Sequence, residues 1–374
     1  MNKKIVFLSG TRADYGKLKS LIHICSASDK FNVSMFVTGM HLQKQFGYTV
    51  NEIRKSGFTN IHTYENHTSS SSMDLALAKT IQGLSEYVKK EKPDLLIVHG
   101  DRVEALAGAI VGSLNNILVG HIEGGEVSGT IDELIRHSVS KLSHLHFVAN
   151  EDAKNRLLQM GEIENSIHII GSPDVDVMFS KDLPSIQQVK EHYDIPFEKY
   201  GLMMFHPVTT EQSDIPTQIN NLVECVKNDQ NNYVVIYPNN DSGSEVIIKA
   251  IDKLKSNSKF KIFPSVRFES FLVLLKNSSF IIGNSSAGVR EAPYYGIPSI
   301  DIGNRQNNRA KSNSIIHVDY DQDSIRNGIA KAQNLEIKTP DQLFGIGKSN
   351  ELFFELIIDN NIWKTPHQKV FKDI

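Results

Sequence analysis

The sequence is poor in cysteine, which limits its redox and metal chemistry. Two cysteines occur among 374 residues. Cys25 and Cys225 stand alone in apolar stretches with helical periodicity. They form neither a CxxC pair nor a spacing typical of metal ligands. The pattern predicts two buried thiols in a reducing cytoplasm.

The sequence also lacks a charge excess and a long apolar run. The formal net charge is −3, which gives no bulk electrostatic reason to expect nucleic acid or an anionic membrane as a partner. No apolar stretch approaches the ~18–20 residues that a membrane span requires. The first apolar run lasts four residues before Ser9 and Gly10, which indicates a strand and not a signal peptide. We expect a cytoplasmic protein.

Three catalytic signatures are missing. The first predicted strand ends in SGTRADYG instead of the GxGxxG of dinucleotide sites, which disfavours a hydride-transfer enzyme. The GxSxG turn of a nucleophilic serine is absent. No spacing of His, Cys and Asp resembles a zinc site. We therefore expect neither a metal nor a cofactor.

Short apolar runs alternate with amphipathic stretches along the chain. Strands are predicted at 4–9, 31–38, 94–100, 117–123, 144–149, 167–171, 201–207, 232–238, 260–265, 279–286 and 297–303. Helices are predicted at 15–26, 43–56, 72–91, 102–114, 131–142, 151–160, 215–228, 244–256, 268–277 and 288–296. Strands that are apolar throughout and separated by helices indicate parallel sheets covered on both faces.

This pattern predicts an α/β protein with two Rossmann-like, doubly wound domains, as its length of 374 residues also suggests. The first domain is predicted to cover 1–173 and the second 174–349. A helix within 350–374 is expected to pack back on the first domain. The serines at 69–72 are predicted to form a polar loop before a helix. Two such domains facing a cleft are common among enzymes of sugar nucleotides, although fold alone does not decide the chemistry.

Three carboxylates stand where predicted strands give way to helices, in VHGDR and GHIEGGEVSGTIDELIRH. Asp101 follows a strand, Glu123 precedes two glycines that leave room for a ligand, and Asp132 opens a helix. Such positions point into the crevice where parallel sheets bind ligands. Carboxylates that share a water-poor crevice have raised pKa values, so some can act as acids while others act as bases. The alternative for Asp101 is a helix N-cap.

The stretch SFIIGNSSAGVRE predicts a phosphate site in the second domain. Its small residues let backbone N–H groups approach an anion, and Ser285 and Ser286 add hydroxyl groups. Glu291 suits a contact to ribose hydroxyls. A helix-capping serine without a ligand is the structural alternative.

Basic residues in other loops are further candidates for the same ligand. Arg12 stands at a helix N-terminus, which favours anions, and His206 ends a strand in FHPVTTE. Each is equally compatible with a structural role. Arg267, Arg305 and Arg309 lie in loops of the second half, where single arginines are more often surface charges.

Together, GTRADYG, VHGDR, GHIEGGEVSGTIDELIRHSVSKLSHLHF, FHPVTTE and GNSSAGVREAPYYGIPSIDIGNRQ resemble the hydrolysing UDP-N-acetylglucosamine 2-epimerases. The resemblance runs in order from Gly10 to Arg309, and the long central motif is highly specific. It implies the GT-B fold and the conversion of UDP-GlcNAc into N-acetylmannosamine and UDP, the first step of sialic acid synthesis. HIEGGEVSGTIDE is similar to the hydrolysing branch rather than to the non-hydrolysing one.

The resemblance also implies roles for individual residues. Asp101, Glu123 and Asp132 correspond to the essential acids. Substrate contacts are predicted at Arg12, Asp14, Arg102, His206, Arg267, Ser285, Ser286, Glu291 and Arg305. Asparagine stands at 307 and 308, where the family usually has a glycine, and this departure weakens a role for Arg309.

The implied reaction has two stages. Removal of the C2 proton while UDP leaves C1 gives 2-acetamidoglucal, and water then adds while C2 is protonated from the opposite face. We expect Glu123 and Asp132 to serve the elimination and Asp101 the hydration. UDP is part of the substrate, so no cofactor is implied, and homodimers or homotetramers are expected.

Other functions remain open at this stage. A sister branch acts on UDP-2,4-diacetamido-trideoxyhexoses or GDP-linked analogues with nearly the same motifs. A GT-B glycosyltransferase is a second alternative, since it would share the fold and the nucleotide site. A catalytically idle nucleotide-sugar-binding protein is a third, although such a protein would not need three acids.

Overall fold

The computed structural model of the chain describes residues 2–66, 72–128, 130–337, 340–370 and 372–373. The chain divides into two compact units: Met1–Glu126, Asp132–Phe179 and Leu343–Ile374 form the first, and Val127–Ile131 and Ser180–Gln342 form the second. The first unit thus extends beyond the predicted boundary at 173 and resumes at Leu343 instead of 350. The assignment of the short segment Val127–Ile131 to the second unit was not predicted.

Eleven of the strands in the described residues agree closely with the predicted apolar runs, whereas the strands at Ile61–Thr63 and Ile315–Val318 were not predicted. In chain order they are β1 Lys3–Ser9, β2 Phe31–Val37, β3 Ile61–Thr63, β4 Leu95–His99, β5 Leu118–Ile122, β6 Leu145–Val148, β7 Ile167–Ile169, β8 Gly201–Met204, β9 Tyr233–Ile236, β10 Phe260–Phe263, β11 Phe280–Gly283, β12 Ser299–Ile302 and β13 Ile315–Val318.

The helices lie between them. They are α1 Arg12–Ser26, α2 Val50–Lys55, α3 Met73–Glu91, α4 Val103–Leu114, α5 Ile131–Leu142, α6 Glu151–Gln159, α7 Pro173–Met178, α8 Ile186–His192, α9 Ile215–Asn228, α10 Ser244–Asp252, α11 Phe268–Lys276, α12 Ala287–Arg290, α13 Gln322–Gln333 and α14 Ser349–Ile358.

Each unit has one parallel sheet across its described residues. The strand order is β3-β2-β1-β4-β5-β6-β7 in the first unit and β10-β9-β8-β11-β12-β13 in the second. Strand order therefore reverses between β1 and β4, and again between β8 and β11. These reversals are the positions where open parallel sheets bind ligands. The predicted fold class, α/β with two doubly wound domains, is confirmed.

The strands form because their side chains are apolar on both faces, and helices cover both faces of each sheet. In the first unit, Phe353 and Ile357 of α14 are buried in the same core as Phe7. The Phe353 ring lies 4.8 Å from that of Phe147, centroid to centroid. The last helix is therefore part of the first unit's core.

Two predicted helices are wrong in part. Gly47 and Tyr48 have φ values of 90° and 47°, so the chain turns there and α2 covers only the end of the predicted 43–56. Pro293 has no N–H to donate, and the predicted helix 288–296 divides into the short α12 and a 3₁₀ turn at Ala292–Tyr295.

Two further points concern the limits of the described residues. The predicted polar loop falls mostly outside them, since only Ser72 of 69–72 is described. Within the described ranges, every helix is too short or too polar to cross a membrane.

Candidate active site

In the first unit, polar residues collect where the strand order reverses. Gly10 and Thr11 follow β1, His99 ends β4, and Glu123 follows β5 directly. Because the carboxyl ends of parallel strands meet at one edge of a sheet, these residues lie close together.

Glu123 is the centre of this group. Its Oε1 accepts a hydrogen bond from the Ser172 hydroxyl at 3.0 Å. The same oxygen lies 3.4 Å from His99 Nε2 and 3.5 Å from Lys17 Nζ. Lys17 Nζ also lies 3.3 Å from Asp174 Oδ2. Glu123 is buried, 3% exposed, so this polar shell compensates for the loss of water around a charged carboxylate.

The two glycines after Glu123 serve the protein's own packing. A Cβ built on Gly125 would lie 2.2 Å from the Ala153 carbonyl oxygen, and one on Gly124 would lie 2.9 Å from His121 Nδ1. That these glycines also leave room for a ligand stays a prediction. They let the loop approach α6 and β5.

His99 and His121 are both buried, and their surroundings give them opposite properties. Burial alone would lower the pKa of His99, but the carboxylates of Glu123 and Asp14 outweigh it and raise the pKa to about 9. His121 contacts the Gly100 carbonyl at 2.8 Å and the Ser140 hydroxyl at 3.0 Å. Burial lowers the pKa of His121 to about 3. At neutral pH, His99 is an imidazolium and His121 is neutral.

Arg136 connects two of the predicted acids. This residue of α5 is fully buried, and its guanidinium pairs with Asp101 Oδ2. It also donates a hydrogen bond to the Glu123 carbonyl oxygen at 2.8 Å. Asp132 lies one turn earlier in α5, on the same face as Arg136. The sequence prediction that the three acids belong together agrees with this placement, and their catalytic roles stay predictions.

The other predicted residues of the first unit have partners within the protein. Asp14 closes a capping box with Thr11 at the start of α1, and its Oδ1 lies 3.4 Å from His99 Nδ1. Arg12 pairs with Glu52, and Arg102 pairs with Glu104 at 3.3 Å. Their contacts to substrate remain predictions.

In the second unit, His206 and Asn284 meet where β8 and β11 end. The Asn284 amide accepts a hydrogen bond from His206 N–H at 2.7 Å and donates one to its carbonyl at 2.9 Å. His206 Nδ1 accepts a hydrogen bond from Asn239 N–H at 3.0 Å. Neutral His206 therefore carries its proton on Nε2, a donor suited to an anionic oxygen.

At the end of β11, the backbone packs closely against β8, before the loop that carries the predicted phosphate contacts. Gly283 has a φ of 135°, and a Cβ there would lie 1.8 Å from the Met204 carbonyl oxygen. Ser285 is buried and Ser286 precedes α12. Buried Glu291 follows α12 directly.

The predicted arginines of the second unit divide into two groups. Arg305 donates a hydrogen bond to the Asn284 carbonyl at 3.3 Å, and it therefore belongs to this cluster. Arg267 directly precedes α11 and follows β10, which lies two strands from β8 in the sheet. Its half-exposed side chain lies 3.6 Å from Glu269. Arg309 lies 3.2 Å from the Gln306 side-chain oxygen.

Several residues of these clusters were not predicted. His99 and Arg136 stood inside quoted motifs, at a strand end and one helical turn after Asp132, and these positions were usable signals. Asn284 likewise stood inside SFIIGNSSAGVRE, whereas Lys17 and Asp174 gave no local signal, because their partners are distant in sequence.

Comparison with known proteins identifies the family. The family model described as UDP-N-acetylglucosamine 2-epimerase matches residues 23–358. The chain belongs to this family. The family predicted from the motifs is confirmed.

Individual relatives agree with this assignment. The chain is 48% identical over 375 residues to a UDP-N-acetylglucosamine 2-epimerase from Neisseria meningitidis serogroup B, covering 100% of this chain and 99% of the relative. It is 35% identical to a UDP-N,N'-diacetylbacillosamine 2-epimerase (hydrolyzing) from Legionella pneumophila, over 96% of each chain. It is 32% identical to the polysialic acid biosynthesis protein P7 of Escherichia coli, over 89% of this chain and 86% of that protein.

Solved structures of the family have the same fold. The Methanocaldococcus jannaschii UDP-GlcNAc 2-epimerase in complex with UDP-GlcNAc and UDP superposes with a TM-score of 0.82 at 24% identity, over 95% of this chain and 99% of that one. A Neisseria meningitidis UDP-GlcNAc 2-epimerase bound to UDP-GlcNAc gives a TM-score of 0.79 at 19% identity, over 96% and 100%.

Proposed function

We propose that this chain is a hydrolysing epimerase that converts UDP-GlcNAc and water into N-acetylmannosamine and UDP. The observation that carries the proposal is the buried Arg136 guanidinium, which pairs with the Asp101 carboxylate and lies 4.0 Å from Glu123 Oε2, while Asp132 stands one turn earlier on the same helix. The 2-epimerase from Neisseria meningitidis and the hydrolyzing relative from Legionella pneumophila support it.

We assign the diphosphate to the second unit. His206 Nε2–H, the backbone N–H groups around Ser285 and Ser286, and the Arg305 guanidinium supply donors at the ends of β8 and β11. Donors that are fixed before the reaction stabilise the negative charge that develops on departing UDP. Glu291 is assigned to the ribose hydroxyls.

We assign the proton transfers to the first unit. In the elimination, a carboxylate takes the C2 proton, the C1–O bond breaks, and its electron pair leaves with UDP, so that a C1=C2 double bond remains. In the hydration, the oxygen of water bonds to C1 and water gives one proton to a carboxylate, while a carboxylic acid delivers a proton to the opposite face of C2. Glu123 is proposed as the base, with Asp132 assisting the elimination and Asp101 the hydration. Water is the one co-reactant.

Turnover in D₂O tests this proposal. Incubation with UDP-GlcNAc is expected to give UDP and N-acetylmannosamine that carries deuterium at C2, as measured by NMR and mass spectrometry. Asp101→Asn, Glu123→Gln and Asp132→Asn are each expected to lose at least 100-fold in kcat while UDP still binds. Glu133→Gln, beside Asp132 on α5, is the matched control. Accumulation of UDP-N-acetylmannosamine, or UDP release only after an acceptor sugar is added, would refute the hydrolysing reaction.

The Legionella pneumophila relative favours a second candidate substrate. Its name gives UDP-N,N'-diacetylbacillosamine as the sugar nucleotide, so the same reaction on a 2,4-diacetamido sugar is the alternative. A substrate panel compared by kcat/KM separates the two. A place in sialic acid synthesis is proposed only with the first, and the E. coli polysialic acid relative supports it.

A further inference from the structure

His99 connects helix α1 and the ends of strands β4 and β5 of the first unit through charge. It ends β4, and its ring lies between Asp14 of α1 and Glu123, which follows β5. Nδ1 is 3.4 Å from Asp14 Oδ1, and Nε2 is 3.4 Å from Glu123 Oε1. These distances are those of charge contacts rather than of tight hydrogen bonds. His99 itself is buried, so little water screens the two contacts.

The carboxylate of Asp14 is fixed independently of His99. Its Oδ2 accepts hydrogen bonds from the backbone N–H groups of Thr11 at 3.0 Å and Gly10 at 3.3 Å. Asp14 therefore gives the His99 ring, at the end of β4, a negatively charged partner in a fixed position.

The three side-chain donors around Glu123 converge on one oxygen. Ser172, His99 and Lys17 all approach Oε1, at 3.0 to 3.5 Å. Arg136 is 4.0 Å from Oε2. Crowding of donors on Oε1 fixes the rotation of the carboxylate and favours its ionised form. An ionised carboxylate is what proton abstraction from C2 requires.

The charged groups in contact with the His99 ring are Asp14 of α1 and Glu123 after β5, and His121 of β5 interacts with it through charge. Lys17 and Arg136 contact Glu123 instead, and Asp174 contacts Lys17. His121 shows what burial does without a carboxylate, since its pKa is lowered to about 3. The two carboxylates beside His99 raise its pKa to about 9 instead.

We propose that His99 is a positioning residue for the epimerase reaction: as an imidazolium held between Asp14 and Glu123, it keeps Glu123 ionised and orients it as the base. This inference rests on the proposed function for its kinetic readout. In this proposal, the Asp14 carboxylate stabilises the protonated form of His99.

The pH dependence of kcat distinguishes this role from a merely structural one. Wild-type kcat is expected to fall above pH 9, as His99 loses its proton and no longer orients Glu123, and to level off near the kcat of His99→Gln. In His99→Gln this alkaline decline disappears, and kcat below pH 9 is lower by roughly 100-fold or less, because Glu123 is still present. KM stays within about twofold, since UDP is held elsewhere. In Asp14→Asn the decline moves to lower pH.

His146→Gln is the matched control. His146 is also buried and lies 3.0 Å from a carboxylate, Glu162, but on β6. The alkaline decline is expected to stay near pH 9 in this variant. The proposal is overturned if His99→Gln keeps the decline, or if Asp14→Asn leaves it unmoved.

An NMR titration separates this proposal from the proposed function. The His99 imidazole signal, assigned by its loss in His99→Gln, is expected to titrate near pH 9 and to shift downward in Asp14→Asn, with or without turnover. If UDP-GlcNAc is not turned over but this titration is found, the proposed function fails and the charge bridge stands. An imidazole that titrates below pH 7 overturns the bridge itself.

Discussion

Replacing Glu162 is expected to destabilise the first unit strongly and in a pH-dependent way. Glu162 is buried, and three nitrogen groups surround its carboxylate. Lys141 Nζ is 2.8 Å from Oε1, while Lys369 Nζ and His146 Nε2 are 2.6 and 3.0 Å from Oε2. Lys369 also donates to the carbonyl of Ser143 at 2.6 Å, near the end of α5. The C-terminal segment is thereby attached to α5.

The magnitude follows from the proton equilibrium. Burial alone would raise the pKa of Glu162, but His146, Lys141 and Lys369 outweigh it and lower the pKa from 4.5 to about 2. A shift of this size corresponds to roughly 3 kcal/mol of folded-state stability at neutral pH. Because the folded pKa is the lower one, the contribution is complete above pH 5 and is lost as the pH falls toward 2. About 1 kcal/mol is lost by pH 4.

The single tryptophan provides the assay. Trp363 lies in the first unit, where its indole N–H donates to the Ile357 carbonyl at 2.9 Å, so its fluorescence follows the unfolding of that unit in urea. Glu162→Gln is expected to lower the free energy of unfolding by about 3 kcal/mol at pH 7 and by about 2 kcal/mol at pH 4. A difference that stays constant from pH 7 to pH 4 would refute the assigned pKa.

Lys369→Met tests the attachment of the C-terminal segment. This variant is expected to cost about 2 kcal/mol, because it removes an ion pair and contacts to backbone carbonyls. Lys372→Met, an exposed lysine in the same segment, is the control and is expected to change stability by less than about 0.5 kcal/mol. Equal effects of the two substitutions would contradict the attachment.

Two further predictions concern the second unit. Gly283→Ala is expected to destabilise it by more than about 3 kcal/mol and to abolish UDP binding, because a Cβ would lie 1.8 Å from the Met204 carbonyl oxygen. Thermal melts measure the loss of stability. Gly57→Ala is the control for backbone strain alone, since Gly57 has a φ of 90° and nothing within 4 Å of an added Cβ. Asn284→Ala is expected to weaken UDP binding about tenfold by calorimetry, since it removes both hydrogen bonds that fix the His206 backbone.

The fold could be predicted wherever burial on both faces leaves a continuous apolar run. Runs such as DLLIVHG and SFIIGNSS gave β4 and β11 within a few residues, because a central parallel strand tolerates few polar side chains. The edge strands β3 and β13 were missed because edge residues such as His62 and His317 are partly exposed and interrupt the apolar pattern. The short α7 and α8 were missed for a related reason, since six or seven residues show little periodicity.

The candidate site was predictable only where function leaves a local pattern. Asp101, Glu123 and Asp132 stood at strand and helix ends, which is a property of the sequence itself. Lys17 and Asp174 form an ion pair across 157 positions of chain, and no periodicity of either helix indicates it. Arg267 shows how little a lone basic residue in a loop decides, because it lies 3.6 Å from Glu269 and its predicted substrate contact stays a prediction.

Helix α5 shows why stability and chemistry in the first unit can be separated by experiment. Its first two turns carry Asp132 and Arg136, which belong to the acid cluster, and its last turn accepts hydrogen bonds from Lys369. Both clusters place a buried glutamate among cationic groups. Around Glu162 these groups stabilise the fold, whereas around Glu123 they include a histidine whose proton is exchanged near pH 9. The pH dependence of unfolding that Glu162 causes therefore lies below pH 5, whereas the pH dependence of kcat that His99 causes lies near pH 9. Because these pH ranges do not overlap, a shift of the alkaline decline of kcat in Glu162→Gln would show that α5 couples the two clusters.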